Sequence, residues 1–270
     1  MIVNSKFSSL FLGKKESWNA PFDQDICYMQ KFAIGEEIRI QFIGYTAGFT
    51  AKYVNEKGDE IPVSVELLYT DSGYDGKRLY EAVFSVLTKG VYLFSLTSGP
   101  DEASSYFCIK PSGELKNTVL INYTHRRDEY DTLFLNPDGT RKSFNFRIEG
   151  GFYPGDKVQA VENEIFRDQR FEPHQTAAEA YEISALTIGT KRGVPAWVGN
   201  KVNNIFNLSD ILVDGIETVR NESSVPELIK VSTCYPLYVF KLNVEQPDEE
   251  CIYTDNKDRI FDKTYDKSFN

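Results

Sequence analysis

Apolar and polar residues alternate along the first half of the chain with a period of two. Glu37-Ile38-Arg39-Ile40-Gln41-Phe42 is the cleanest case, and Phe49 to Val54, Ile61 to Tyr69, Leu79 to Leu87, Val91 to Leu96, Tyr106 to Ile109 and Thr118 to Tyr123 repeat it. Val63, Val65 and Leu67 fall on one face of their run. Alternation of this kind marks half-buried strands. Turn formers separate the runs: Asn55 to Asp59, Asp71 to Gly76, and Thr88-Lys89-Gly90, across which Leu79–Leu87 and Val91–Leu96 pair as neighbours. Leu133 to Leu135 and Phe144 to Ile148 flank Asn136-Pro137-Asp138-Gly139-Thr140, a strong hairpin signal. Short strands at this spacing predict an antiparallel β-sandwich over residues 1–148. Nothing before residue 150 has a 3.6-residue period, which excludes a doubly wound α/β fold.

The pattern changes at Glu149-Gly150-Gly151-Phe152-Tyr153-Pro154-Gly155-Asp156, a Gly/Pro-rich break. Residues 149–180 form the junction and an extended arm or long loop, because Gln159 to Ala180 is polar, with Ile165, Phe166 and Phe171 as its few apolar anchors. Residues 181–247 make a smaller α+β module. Tyr181 to Ile188 is a strand, and Pro195 opens the one clear helix, which runs to about Phe206. Val198, Val202, Ile205 and Phe206 share a helical face, with Trp197 beside it. Ile211–Val213 and Ile216–Arg220 surround Asp214-Gly215, a two-residue hairpin signal. Tyr235 to Val244 is the last strand, and residues 248–270 are a charged peripheral tail. The fold class is therefore mainly β: an N-terminal antiparallel sandwich, then an α+β module with one short helix.

Composition narrows the function classes. Among 270 residues are 16 Tyr and 19 Phe, which suit pleated surfaces. The formal charge of −10 opposes binding to nucleic acid, which needs a basic face. The first fifteen residues carry no apolar core of a signal peptide, and no apolar run is long enough to span a membrane. Cys27, Cys108, Cys234 and Cys251 lie too far apart for a C-x-x-C motif. They read as free thiols, with a Cys234–Cys251 disulfide as the alternative.

Signals of chemistry are absent. The two histidines, His125 and His174, sit in polar, loop-like stretches and cannot alone supply a three-ligand zinc site. There is no H-E-x-x-H, G-x-S-x-G, P-loop or dinucleotide fingerprint. The acidic group Asp128, Glu129 and Asp131 lacks the glycine that a calcium loop uses for its turn. No catalytic residue, cofactor or metal is expected. Aromatics of the sandwich, namely Tyr74, Tyr80, Tyr92, Tyr106, Tyr123 and Tyr130, serve either core and cross-strand packing or stacking on sugars. Tyr74 and Tyr130 are the glycan-contact candidates.

The segments Phe146-Arg147-Ile148-Glu149-Gly150-Gly151-Phe152, Leu186 to Gly189, and Gly193 to Phe206 with the hairpin at Val213-Asp214-Gly215 resemble the modules of tail and baseplate proteins of tailed phages, the distal tail proteins above all. The likeness spans residues 146–245, and the order of sandwich and ring module is reversed relative to that family. It implies a virion structural protein of the tail, assembled in the host cytoplasm into a homo-oligomeric ring and joined to other tail proteins. The expected subunit interface is Phe166 and Phe171 on the arm, with Arg192 and Trp197 near the helix. A carbohydrate-binding or adhesion sandwich that touches a host-surface glycan is the alternative. Neither reading involves nucleic acid or membrane insertion.

Overall fold

The structure is a computed structural model that describes residues 1–14, 28–45, 48–70, 76–129, 131–191, 193–222, 224–231 and 237–246. It is mainly β, with 59% of the described residues in strands and 6% helical. Ten strands build the N-terminal half: β1 (Ile2–Val3), β2 (Gly13–Lys14), β3 (Gln30–Ala33), β4 (Glu37–Gly44), β5 (Thr50–Asn55), β6 (Glu60–Val63), β7 (Val65–Thr70), β8 (Arg78–Ser85), β9 (Gly90–Ser98) and β10 (Asp101–Lys110). One sheet has the order β1-β4-β8-β7 and the other β2-β10-β9-β5-β6, with β3 parallel to β10. Their inner faces share one core. Ile38, Ile40 and Phe42 of β4 face Phe94 and Leu96 of β9 and Phe107 of β10, all with no exposed surface. The period-two pattern thus buries alternate residues between two sheets.

Two local expectations change. Ile61 to Tyr69 is not one strand, because the chain switches sheets at Ser64 between β6 and β7. Leu67 is consequently half-exposed. Likewise β8 and β9 are not paired across Thr88–Gly90. They lie in different sheets, and that turn carries the chain from one to the other. Alternation shows that a strand is half-buried and says nothing about which sheet it joins.

The second half is one eight-stranded sheet. Its elements are β11 (Thr118–Thr124), β12 (Phe144–Arg167), β13 (Pro173–Ile188), α1 (Ala196–Ile205), β14 (Asp210–Val213), β15 (Ile216–Glu217), β16 (Val219–Arg220), β17 (Glu227–Val231) and β18 (Tyr238–Glu245). The order is β15-β14-β11-β12-β13-β18-β16, with β17 also on β18. Pro195 precedes α1, whose Val198, Val202 and Ile205 are fully buried against Phe146, Ile148, Leu186 and Leu242. Asp214 (φ 50°) and Gly215 (φ 87°) turn the β14–β15 hairpin, both left-handed as a two-residue turn needs. Among the described residues no helix is long and apolar enough to cross a membrane.

The division between the halves falls between Lys110 and Thr118, not at residue 148. Thr118–Thr124 and Phe144–Ile148, assigned to the sandwich by pattern, pair with each other at the centre of the second sheet. Buried polar groups join the halves. Glu81 on β8 accepts from Arg39 (2.8 Å), Gln41 (2.8 Å) and Lys142 (3.2 Å), and Gln41 exchanges hydrogen bonds with the backbone of Leu133. Arg147 on β12 meets Glu36 at 2.8 Å. Such fixed ionic contacts favour one arrangement of the halves over others.

The N-terminal segment clasps both cores. Phe7 enters the second core beside Phe134, whereas Leu10 and Leu12 enter the sandwich. Lys201 of α1 holds this segment. Its buried ammonium donates to the carbonyls of Ser5 (3.1 Å) and Ser8 and lies 4.9 Å from the centre of the Phe146 ring. Burial lowers its pKa from 10.5 to about 7.

Candidate assembly surface

Strands β12 and β13 outrun the sheet. Strand β11 covers β12 only up to Glu149, and β18 covers β13 only from Ile183 onward. Beyond these limits, among the described residues, the two strands pair with each other alone, from Gln159↔Glu182 to Arg167↔Pro173. The expected irregular arm is thus a two-stranded ribbon. Nine residues of β12, at about 3.3 Å each, make it roughly 30 Å long. Its polar sequence concealed the strands, because a ribbon with no buried face has no alternation to show.

The root of the ribbon is fixed. Gly150 (φ 149°) lies so close to β13 that a Cβ there would sit 2.2 Å from the Thr187 carbonyl oxygen. Lys241 reaches Asp156 at 3.0 Å and Lys157 reaches Glu182 at 2.6 Å. The tip is also built. Asp168 Oδ1 accepts the N–H groups of Arg170 (2.8 Å) and Glu172 (3.0 Å), and its carbonyl accepts that of Phe171 (2.9 Å). This turn holds Phe171 at φ 63°, a left-handed conformation that costs a bulky residue roughly 1–2 kcal/mol.

The arm displays apolar side chains to solvent. Phe171 is 80% exposed, Phe166, Val158 and Val161 are each 60% exposed, and Ile165 is 51% exposed. The register puts Val158, Glu162, Glu164 and Phe166 on one face and Val161, Asn163 and Ile165 on the other. An isolated two-stranded ribbon is marginally stable in water. Two open edges and a row of exposed apolar residues are what a partner surface covers.

Of the four residues expected at an interface, the three described ones do not gather. Phe166 and Phe171 are on the arm. Trp197 lies elsewhere, half-buried, stacked on Phe11 (4.3 Å between ring centres, 11° between planes) and edge-on to Tyr28 (5.9 Å). It packs the N-terminal segment against α1. Arg192 lies outside the described residues, as do Tyr74, Tyr130, Cys27, Cys234, Cys251 and the tail after residue 246. Of the other candidate aromatics, Tyr80, Tyr92 and Tyr123 are core residues, whereas Tyr106 is 46% exposed. Burial raises the Tyr123 phenol well above its usual pKa, and its hydroxyl donates to the Phe7 carbonyl.

Two further groups of side chains are absent from the sequence expectations. His174 comes together with Asp168 and Glu172 at the arm tip, their ligand atoms all within 4.8 Å of one another. Residues 129 and 131, which flank position 130 in sequence, and residues 69 and 77, which lie on either side of position 74 in sequence, line one cleft of about 290 Å³ together with Asp128 and Arg78. His125 is structural. Its Nδ1 accepts the Ser209 N–H at 3.0 Å, and its ring stands edge-on to Phe134. Cys108 is a free thiol, half-buried. No protein-family model matches the chain, and no curated protein matches it.

Proposed function

We propose that the chain is a non-catalytic assembly protein that joins subunits through its projecting ribbon, and that its setting is the tail or baseplate of a phage particle. The observation that carries the assembly reading is the ribbon. It extends beyond both neighbouring strands, leaves two edges unpaired among the described residues and displays Val158, Val161, Ile165, Phe166 and Phe171. The tail setting rests on the sequence resemblance over residues 146–245. The test replaces residues 159–182 by a two-residue Asn-Gly turn between the paired Val158 and Ile183. The shortened chain is expected to keep the thermal midpoint of the full chain, and to be lost from rings seen by electron microscopy and from particles purified with it. Unchanged incorporation would refute the role given to the ribbon.

A second reading, glycan binding by the sandwich, is favoured by the 290 Å³ cleft. A half-exposed Tyr69 ring stands there beside Asp128, Glu129, Asp131 and Arg78, a mixture of an aromatic face and fixed polar groups suited to a sugar. Glycan-array binding that disappears in Tyr69→Ala would establish it.

A further inference from the structure

We infer that the partner of the ribbon is a second copy of this chain, and that the ribbon docks head to tail on the groove at the root of its neighbour's ribbon. The inference rests on the assembly reading above and adds the identity of the partner and its surface.

The groove is an open site of about 750 Å³ between the two halves, floored by Phe152, Tyr153 and Leu237. Three lysines line it, against two glutamates. Lys31 is committed to Glu149 at 2.5 Å, and Glu114 is 3.6 Å from Lys110. Lys116 and Lys191 remain, both exposed and without a carboxylate partner among the described residues. The groove is thus locally positive on a chain of net charge −10.

The ribbon has the opposite bias. Between Val158 and Tyr181 stand five carboxylates, at positions 162, 164, 168, 172 and 179, against two cations, Arg167 and Arg170. The register puts Glu162 and Glu164 on one face of β12, where a cationic partner surface complements them. The same face carries Phe166 and leads to Phe171 at the tip. A site of this volume takes a turn and its flanks, not a whole ribbon. The fit is Phe171 on the aromatic floor, with the Glu162 and Glu164 face along Lys116 and Lys191.

The ribbon cannot reach the groove of its own chain. Phe152 and Tyr153 belong to the strand from which the ribbon departs, and the paired register carries the tip at least ~30 Å away. The occupant is therefore another copy. Ribbon and groove are different surfaces, so the contact is heterologous and closes into a ring or continues as a filament.

Sedimentation velocity on the full chain tests this. The wild-type chain is expected to self-associate, and to dissociate as salt rises. Lys116→Glu with Lys191→Glu, or Glu162→Lys with Glu164→Lys, should each weaken association at least ~10-fold. Combining all four changes in one chain should restore it, because both charged surfaces are then reversed. All four positions are exposed, so circular dichroism and melting curves should match the wild type. A wild-type chain that stays monomeric at every concentration overturns the inference and leaves the assembly reading standing, with a different partner. Groove variants that associate normally, while removal of the ribbon abolishes association, overturn the groove alone. Association unchanged by ribbon removal overturns both.

Discussion

From Phe144 to Ile148, strand β12 buries every second side chain, with Phe144, Phe146 and Ile148 at 1% exposure or less. From Lys157 to Arg167 the same strand buries none. Over the first stretch β12 pairs with β11, and from Gly150 onward it pairs with β13, with irregularities at Phe152/Lys157 and Glu164/Ile165. The covering layer differs too: helix α1 covers the first stretch, and nothing among the described residues covers the second. The pair of strands therefore separates two properties that usually overlap. Its root packs in the second core, and its far half is free to serve the recognition proposed for it at little cost to the fold.

Substitution at the root tests this separation most severely. Phe146→Ala removes a fully buried ring that packs on Trp197 and lies beside the Lys201 ammonium. The expected loss is about 3–5 kcal/mol, read by urea unfolding. A loss below ~1 kcal/mol would mean that the second core is not the stabilising element.

Lys201 gives the next largest effect, and it depends on pH. Its folded pKa, about 7, is depressed from 10.5, so the unfolded chain binds the extra proton between those values. Stability then rises with pH across that window, by at most about 1.4 kcal/mol per pH unit, and the cost of the buried charge is complete below pH 7. In Lys201→Met this rise should vanish from the curve of unfolding free energy against pH, whatever the variant's absolute stability. A parallel pair of curves would refute the assignment.

Gly150→Ala acts at the junction of the two stretches. The added methyl meets the Thr187 carbonyl at a distance no contact allows, and the φ of 149° suits few side chains. A loss of ~1–3 kcal/mol is expected from overpacking, together with a changed direction of the ribbon and weaker assembly. Unchanged stability would show that β13 can shift away.

The legibility of the sequence follows the same division. Wherever one face of a strand is buried, alternation revealed it: Ile38, Ile40 and Phe42 were identifiable as inward-facing, as were Val198, Val202 and Ile205 on α1. Sheet membership was not legible, since β11 alternates in the same way whichever sheet it joins. The ribbon was located as an arm but not as strands, because its sequence lacks the burial that creates the pattern. The clasp at Lys201 was invisible for a different reason: a single lysine on a helix reads as solvated until Phe7 and the carbonyls of Ser5 and Ser8 are placed around it.

Phe171→Gly has the smallest expected effect on the fold. Glycine adopts φ 63° without the steric cost that phenylalanine bears, although it loses more chain entropy on ordering. The two terms differ by less than ~1 kcal/mol and act on a turn that packs on no core. The thermal midpoint should stay within about 2 °C, and hydrogen exchange of the ribbon amides should be equal or slower in the free chain. Self-association should nevertheless fall, because the 80% exposed ring is gone. A bulky side chain held in a disfavoured conformation, pointing at solvent, is understandable as a contact displayed for a partner. Normal assembly in Phe171→Gly would remove that explanation and leave the ring without a role.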